Sequence, residues 1–497
     1  MSYEPTDQVV QPPQVPDEED QDEDDVFADP TTDHEVVGLS EQAPDDDNDD
    51  QMGDLPTPPS SSSSSSPPNN KDNSSATIDI HRGPVYSLSV LSQSSTSIKL
   101  VSGGGDDVAN YTTLDLNTLQ GPHQSITLAN HTESVSSTAI SKDATMIATG
   151  DFNGTIQLWD ATKNCQVLRQ LEGPSSVEDM KFHPRGNVLL VSGGDGTIWM
   201  YLAATGAIMQ VFIGHSGAVS RGRFAGAGGR WVVSTGAEDG TLRVWDPRSG
   251  KNVCAFGNGN GEETKAGEFQ FNSGGGGLFV LDCQEDLLAA GGEDGCVYVC
   301  NLPTEEVTNT GQVNVGKCIA KLEHSINSNS NSNSNSNSMT EGEEGSNSIE
   351  AIAFAPKKLN MKFLATGGVD GTMKIWDLSR GKPILRVTCV LGSGEVEGEG
   401  EGGEEVTNSG LIGVTDIVWH ESLPIVFVGG SDGVVRAYDA RSQANKPLAK
   451  FEGHEIGEML NSMVVVCGEN GGEDFVITGS DDHKIKVFKV ASAKLIQ

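Results

Sequence analysis

The chain has 497 residues, with 32 lysines and arginines against 71 aspartates and glutamates, a formal net charge of −39. Such acidity disfavours binding to nucleic-acid phosphates and anionic membranes, and a basic protein segment is its natural complement. No apolar stretch approaches the ~20 residues of a membrane span, and the chain does not begin like a secretion signal. Eight irregularly spaced cysteines indicate a reducing compartment, so we expect a cytoplasmic protein, with the nucleus as a second location.

Residues 1–75 are predicted to form a disordered tail. The first 70 residues contain 20 acidic residues and neither lysine nor arginine, and the stretch from Pro56 to Pro68 contains seven consecutive serines. Such a segment cannot bury enough apolar surface to offset the entropy lost on ordering. Two interpretations stay open at this point, a solubilising tail and an acidic lure for a basic partner.

Three further segments of low complexity are predicted to be surface loops inserted into a domain that spans residues 76–492. They lie near 257–277, 325–346 and 392–408, and they are rich in Gly/Asn, Asn-Ser pairs and Gly/Glu respectively. They lack the hydrophobic periodicity of helices and strands, and inserts of this kind are tolerated at loop tips.

Between these segments one pattern recurs eight times. Small apolar residues lead into glycine, a polar turn with aspartate, and alternating apolar residues that end in an aromatic, as in VVSTGAEDGTLRVWD at 232–246. Alternation around a Gly/Asp turn is typical of a β-hairpin. The turn residue aligned with Asp239 falls at 107, 153, 195, 239, 294, 370, 432 and 482. The shorter spacings match the roughly 40–45 residues of a four-stranded propeller blade, and the longer ones contain the inserts.

Several hairpins are preceded by a strand that opens with histidine, and several end in a Trp-Asp pair. These motifs resemble those of the WD40 repeat family. The resemblance implies a buried, hydrogen-bonded set of His, Ser/Thr, Asp and Trp in each complete blade. In this chain the structural blade residues are assigned to His131, Trp159, Asp195, His215, Ser234, Asp239, Trp245, Asp370, Trp376, Asp432, His454 and Asp482.

The predicted fold class is all-β, an eight-bladed WD40 β-propeller preceded by the acidic tail. A strand at Ala76–Ile80 is expected to close the ring onto blade eight. Blade four carries a complete set of structural residues. Blade two departs at Asn153, where aspartate is expected, and blade five at Cys300, where tryptophan is expected, so we expect these two blades to depend more on packing.

The sequence contains one candidate nucleophile motif and one cysteine pair, and the surrounding residues argue against a catalytic or a metal site in both. The run Gly429–Gly433 spells the G-x-S-x-G pattern of a nucleophile elbow around Ser431, but it occupies a hairpin turn, whereas an elbow needs a strand-to-helix turn. Cys296 and Cys300 share a strand face without further ligands at zinc spacing, which favours buried thiols. We therefore expect no enzymatic activity, no cofactor and no metal.

The remaining candidate for a functional site is the surface of the ring. The resemblance implies that the residue before each turn aspartate, and the start of each innermost strand, project onto one face beside the central channel. On that face the predicted partner-binding residues are Asp106, Glu178, Glu238, Glu293, Glu350 and Asp481. A ring of carboxylates focuses negative potential and favours a cationic segment. The alternative is that these residues only reflect the acidic composition.

Shorter motifs narrow the resemblance to the family of angio-associated migratory cell protein. They include the runs Phe182–Arg185, Ser346–Glu350, Asp439–Arg441 and Asp482–Phe488. That family includes a fungal dedicated chaperone of a basic large-subunit ribosomal protein. The resemblance implies that this chain captures such a protein on its acidic face for ribosome assembly. We expect a monomer that neither contacts nucleic acid directly nor inserts into a membrane. A WD40 scaffold or adaptor in cell signalling or migration is the alternative, and a propeller hydrolase is disfavoured.

Overall fold

The computed structural model describes residues 72–121, 123–257, 276–307, 313–314, 316–324, 347–392, 412–442, 446–468 and 472–495. The tail up to residue 71 lies outside these ranges, as do most of the three predicted inserts. The described residues belong to one compact unit, Ser66–Gln497.

The first half of the chain forms four blades, each a four-stranded antiparallel sheet. Strand β1 (Ala76–Ile78) precedes them. Blade one contains β2–β5, at Val85–Gln93, Ser97–Gly104, Ala109–Asp115 and Gln124–Leu128. Blade two contains β6–β9, at Val135–Ile140, Met146–Asp151, Ile156–Asp160 and Gln166–Leu171. Blade three contains β10–β13, at Val177–Phe182, Val188–Gly193, Thr197–Leu202 and Ala207–Ile213. Blade four contains β14–β17, at Val219–Ala225, Trp231–Gly236, Leu242–Trp245 and Asn252–Phe256.

The second half forms four more blades. Blade five contains β18–β20 and β23, at Leu278–Gln284, Leu287–Gly292, Cys296–Asn301 and Lys317–Glu323, and a small hairpin of β21 (Thr304–Val307) and β22 (Val313–Asn314) precedes β23. Blade six contains β24–β27, at Ile349–Phe354, Phe363–Gly368, Thr372–Asp377 and Ile384–Val390, with a 3₁₀ turn at Lys357–Leu359. Blade seven contains β28–β31, at Val414–Trp419, Ile425–Gly430, Val435–Asp439 and Ala449–Phe451. Blade eight contains β32–β34, at Leu460–Val466, Asp474–Ser480 and Ile485–Val490, and helix α1 (Ser492–Leu495) follows.

The ring is closed by the first strand. Ala76 pairs with Val487 and Ile78 with Ile485, so β1 is the fourth strand of blade eight. The predicted closing strand and the predicted eight-bladed all-β propeller are therefore confirmed. Among the described residues no helix is long and apolar enough to cross a membrane.

Packing between neighbouring blades forms the core. Val101 and Tyr111 of blade one, for example, cluster with Ile147 and Trp159 of blade two. Because strands alternate their side chains between two faces, each sheet buries apolar residues against both neighbours. Gly240 supplies the left-handed turn of the blade-four hairpin, at φ +60°, where glycine carries no steric cost.

A β-bulge at the start of every innermost strand shapes the channel wall. In blade one the pairing of β2 with β3 shifts register between Val85 and Ser87, and an equivalent shift occurs near the start of the innermost strand in the other seven blades. A bulge re-aims the side chain of the extra residue. The extra residue is Glu178 in blade three and Glu350 in blade six, two of the predicted partner-binding positions.

Candidate functional site

Blade four contains the full set of structural residues that the repeat motif implies. Nδ1 of His215 lies 2.9 Å from Oδ2 of Asp239, and Nε2 lies 2.8 Å from Oγ of Ser234. The indole N–H of Trp245 donates to the same Ser234 hydroxyl at 2.8 Å. Burial alone would raise the pKa of Asp239, but the hydrogen bonds from His215 and Thr241 outweigh it and hold that pKa well below its usual range. This set locks the hairpin turn onto the strand that precedes it.

Blade two also contains a complete set of structural residues, because Asp151, two residues before Asn153, supplies the carboxylate. Oδ2 of Asp151 lies 3.2 Å from Nδ1 of His131. The hydroxyl of Thr149 lies 2.7 Å from Nε2 of His131 and accepts a hydrogen bond from Trp159 at 2.9 Å. The prediction that blade two depends on packing in place of this network is therefore wrong, because the end of β7 supplies the carboxylate that Asn153 lacks.

Blade six contains a histidine that the sequence motif did not reveal. Nε2 of His324 lies 3.1 Å from the hydroxyl of Thr366, which accepts a hydrogen bond from Trp376 at 3.0 Å. Nδ1 of His324 lies 2.8 Å from the hydroxyl of Thr372, and Asp370 lies beyond it at 3.7 Å. The predicted insert at 325–346 separates His324 from its strand, so the short histidine-to-strand spacing of other blades is absent here.

The remaining blades use partial or altered sets. In blade eight His454 binds Asp482 at 2.9 Å. In blade three Asp195 accepts the backbone N–H of Thr197 at 3.0 Å, and in blade seven Asp432 pairs with Arg436 at 2.6 Å. In blade five Cys300 is fully buried in an apolar cluster, which agrees with the expectation that this blade depends more on packing.

One end of the ring, here called the top face, is defined by a backbone hydrogen bond that recurs in every blade. The residue at the tip of the hairpin between the second and third strands donates its N–H to a carbonyl just before the innermost strand. The donors, from blade one to blade eight, are Gly105, Phe152, Gly194, Ala237, Glu293, Val369, Ser431 and Asp481.

These bonds correct one predicted position and show that one hairpin turn is longer than the others. In blade one the donor is Gly105, and Asp106 instead binds Nδ1 of His81 at 2.9 Å and the N–H of Arg82 at 2.9 Å. Asp106 is therefore the counterpart of Asp239, which the alignment had assigned to position 107, and it stabilises the blade with its side chain only 12% exposed. In blade four the donor is Ala237, because this turn is one residue longer, and Glu238 is the added exposed residue.

The other predicted carboxylates lie at the top face, and four of them are held by hydrogen bonds. Ser176 donates to Glu178 at 2.9 Å, and Ser348 donates to Glu350 at 2.6 Å. Glu293 accepts the N–H of Gly277 at 3.1 Å, and Asp481 accepts from Asn461 at 2.7 Å. The carboxylate of Glu238, the fifth, lies over Gly217, two residues before β14, and no hydrogen bond anchors it among the residues that the structure describes. Each of the four hydrogen bonds orients a carboxylate that retains acceptor capacity for a cationic partner.

A central channel of about 320 Å³ opens at this face and is walled by all eight innermost strands. Glu178 and Glu350 line it together with Tyr86 and Asn461. Polar side chains in the wall also tie neighbouring blades together through backbone N–H groups, in the pairs Ser462 with Leu88, Ser87 with Thr138, Ser137 with Met180, Asp179 with Gly222, and Asp416 with Met463.

The channel wall also contains basic residues that the repeat motif did not reveal. Lys181, Arg221 and Arg223 lie on two adjacent innermost strands, and Arg223 forms an ion pair with Asp179. Burial raises the pKa of Asp179, but Arg223 and the other two cations outweigh this and lower it. Arg223 is therefore compensated by Asp179 within the wall, and Asp179 and Asp416 also attract the Lys181 ammonium group.

Two arrangements that could suggest chemistry are explained by local structure. Ser431 accepts the N–H of Gly413 at 2.9 Å and lies in the hairpin between β29 and β30, not in a strand-to-helix turn. His420, Cys467 and Asp474 place potential metal-binding atoms within 4.8 Å of one another. Nδ1 of His420, however, accepts two backbone N–H groups at 3.1 Å, so the ring proton is on Nε2, which donates to Asp474 at 3.2 Å. That proton occupies the position a metal would need.

The fold and its blade networks define the class of protein, a WD40-repeat β-propeller that serves as a protein-binding scaffold. The family model "WD domain, G-beta repeat" matches residues 123–160, 165–201, 206–246 and 316–377.

The chain belongs to the family of angio-associated migratory cell protein. It is 30% identical over 422 residues to that protein from Canis lupus familiaris, a match that covers 84% of this chain and 80% of the relative. Two fungal structures share the fold. Saccharomyces cerevisiae Sqt1 aligns with a TM-score of 0.63 at 19% identity, covering 84% of this chain and 99% of that chain. Chaetomium thermophilum Sqt1, solved bound to the N-terminus of the ribosomal protein L10, aligns with a TM-score of 0.61 at 18% identity, covering 84% and 100%.

Proposed function

We propose that this chain is a non-catalytic chaperone that captures the basic N-terminal segment of a large-subunit ribosomal protein on its top face. The observation that carries the proposal is the run of carboxylates on four adjacent blades, Glu178, Glu238, Glu293 and Glu350, around the mouth of the channel. A concave surface lined by one sign of charge raises the local concentration and association rate of an oppositely charged segment.

A structural relative supports the choice of partner. Chaetomium thermophilum Sqt1 was solved bound to the N-terminus of the ribosomal protein L10, and this chain covers that structure completely in the alignment. A nascent basic segment held against carboxylates is shielded from nucleic acid and other polyanions until it is delivered. The acidity of this chain suits that task, since a polyanion repels the phosphates that compete for the same segment. We place this activity in the cytoplasm, where ribosomal proteins are synthesised.

The test is a binding measurement on two variants that change the net charge equally. The probe is a fluorescent peptide of the basic N-terminal segment of the ribosomal protein that corresponds to L10 in the same organism. Glu238→Lys/Glu293→Lys changes the top face. The control, Glu285→Lys/Glu421→Lys, changes two exposed carboxylates in turns between first and second strands, at the opposite end of the blades.

We expect the top-face variant to weaken binding roughly 10-fold or more at low salt, because each reversal replaces attraction with repulsion. We expect the control variant to lose much less affinity, since only the long-range field changes. Moderate salt should weaken binding by the wild-type protein. Equal losses in both variants, or binding insensitive to salt, would refute the assignment of the top face.

An adaptor function is the second candidate, and one observation favours it. Outer strands β9 and β13 expose apolar side chains on neighbouring blades, among them Val167, Ile208, Met209 and Ile213, the last 75% exposed. Exposed apolar side chains on the outer strands of neighbouring blades can bind another protein. An Ile208→Glu/Ile213→Glu variant that lost a cellular partner while retaining the basic peptide would support this function instead.

A further inference from the structure

An aromatic pair interrupts the acidic character of the top face. Phe152, at the hairpin tip of blade two, is 43% exposed. Its ring lies edge-on to Tyr86 of blade one, with centroids 6.2 Å apart and planes at 71°. Tyr86 is the residue at the β-bulge of β2, and it lines the channel mouth. The pair thus lies on the blades that precede the run of carboxylates on blades three to six.

A carboxylate is held on the residue that precedes the backbone partner of Phe152. The N–H of Phe152 donates to the carbonyl of Ser134 at 3.2 Å. Ser134 in turn donates its N–H and its hydroxyl to Oε1 of Glu133, at 3.1 and 3.2 Å. Glu133 is exposed. These two bonds hold its carboxylate on Ser134, the residue whose carbonyl accepts the N–H of Phe152. The exposed aromatic ring of Phe152 and the oriented carboxylate of Glu133 are therefore linked through hydrogen bonds to Ser134.

We propose that Tyr86, Phe152 and Glu133 form an arginine-binding subsite for the basic segment, an inference that rests on the proposed function. The planar guanidinium group of arginine stacks on an aromatic face and at the same time pairs in a bidentate manner with a carboxylate. Lysine carries a compact, strongly hydrated ammonium group, which cannot stack on an aromatic face as a plane and pair with a carboxylate in a bidentate manner at the same time. The carboxylates of blades three to six accept either cation, whereas this subsite selects arginine.

The position of the subsite also fixes the register of the bound segment. The carboxylates on blades three to six are similar to one another, so a chain with several basic residues could bind them in several offsets. A single aromatic subsite at one end of that run favours the offset that places an arginine on blades one and two. The main contribution of the subsite is therefore to specificity, since it selects one offset of the segment and adds only one carboxylate to the total charge.

The experiment compares two probe peptides of equal length and charge, a Gly-Arg-Ser repeat and a Gly-Lys-Ser repeat, by fluorescence anisotropy with the full chain. The main variant is Phe152→Leu, which retains apolar volume but removes the π face. Phe152→Tyr retains the π face. Leu385→Ala, a change at an exposed apolar residue on the outer strand β27, is the matched control.

We expect Phe152→Leu to weaken binding of the arginine peptide about threefold to tenfold, the range of a partly desolvated cation–π contact, and to change the lysine peptide less than twofold. Phe152→Tyr and Leu385→Ala should behave as wild type with both peptides. An unchanged ratio of arginine to lysine affinity in Phe152→Leu would overturn the subsite, and equal losses for both peptides would identify an apolar contact instead. If the wild-type protein binds neither peptide at low salt, the proposed function fails as well, which distinguishes the two failures.

Discussion

Asp416 illustrates how single charges are controlled in the channel wall. It lies near the start of β28 and accepts the N–H groups of Ile417 and Met463, at 2.8 and 2.9 Å. Burial among the inner strands raises the pKa of this carboxyl to about 6, although both hydrogen bonds and the cations Arg221 and Lys181 act in the opposite direction. The charged carboxylate is therefore unfavourable in the folded ring at neutral pH.

Replacing Asp416 with asparagine should change the pH dependence of stability. Above pH 6 the wild-type carboxylate is charged in both the folded and the unfolded chain, and burial of this charge lowers the free energy of unfolding. Between about pH 6 and pH 4 the folded protein binds a proton that the unfolded chain does not, so wild-type stability rises relative to the variant as the pH falls. Urea unfolding at pH 7 and pH 5 measures this, and a constant difference between the two proteins would contradict it.

Residue-level features were predictable where the repeat is regular and hidden where the chain departs from it. The set in blade four could be read from its spacing, because no insert interrupts that repeat. His324 could not, since the predicted insert follows it directly, and Asp151 could not, because the alignment was anchored on the turn residue Asn153. Asp106 was misassigned by one position for a related reason, as the degenerate first repeat has two consecutive aspartates.

At the level of whole elements, hairpins were predictable and the channel wall was not. Alternating apolar residues on both sides of a Gly/Asp turn specify the second and third strands of a blade, as at Trp231–Gly236 and Leu242–Trp245. The innermost strands are less regular in sequence, because one edge faces the channel and a bulge shifts the alternation after the first residue. The channel cations Lys181, Arg221 and Arg223 were missed for this reason.

Removal of strand β1 is expected to destabilise the ring. Strand β1 forms the outer strand of blade eight and buries Ala76 and Ile78, which are 1% and 2% exposed. Lys486 of β34 also binds Asp72 at 2.7 Å, directly ahead of that strand. A chain that begins at residue 79 loses these contacts, whereas one that begins at residue 72 keeps them. Loss of the buried Ile78 side chain alone costs about 2–5 kcal/mol.

Thermal unfolding of the two truncated chains measures that effect. We expect the chain from residue 72 to unfold close to the full-length temperature, and the chain from residue 79 to unfold several degrees lower. We also expect the latter to self-associate with rising concentration, because the edge of β34 is left unpaired. Equal midpoints and no self-association would show that ring closure does not depend on β1.

Across the whole molecule, negative charge is divided almost equally between a short segment and the rest of the chain. Residues 1–70 contain 20 acidic residues and neither lysine nor arginine, so the total net charge of −39 leaves a net charge of −19 for the remaining residues. Long-range fields raise association rates, whereas short-range contacts set dissociation rates. The two possible roles of the acidic segment, a general field and a binding partner for the basic peptide, therefore differ in their kinetics.

Removing residues 1–70 separates these two roles. If the segment contributes only its charge, the association rate of the basic ribosomal peptide should fall severalfold at low salt, converge with that of the full chain near 0.15 M salt, where the Debye length is about 8 Å, and leave the dissociation rate unchanged. Stopped-flow fluorescence over a salt series measures both rates. A faster dissociation rate at every salt concentration would instead mean that the segment contacts the bound peptide, and a faster association rate would mean that it competes with the peptide for the ring. We expect the first of these three results, since the top-face carboxylates are held in place by contacts within residues 176–481.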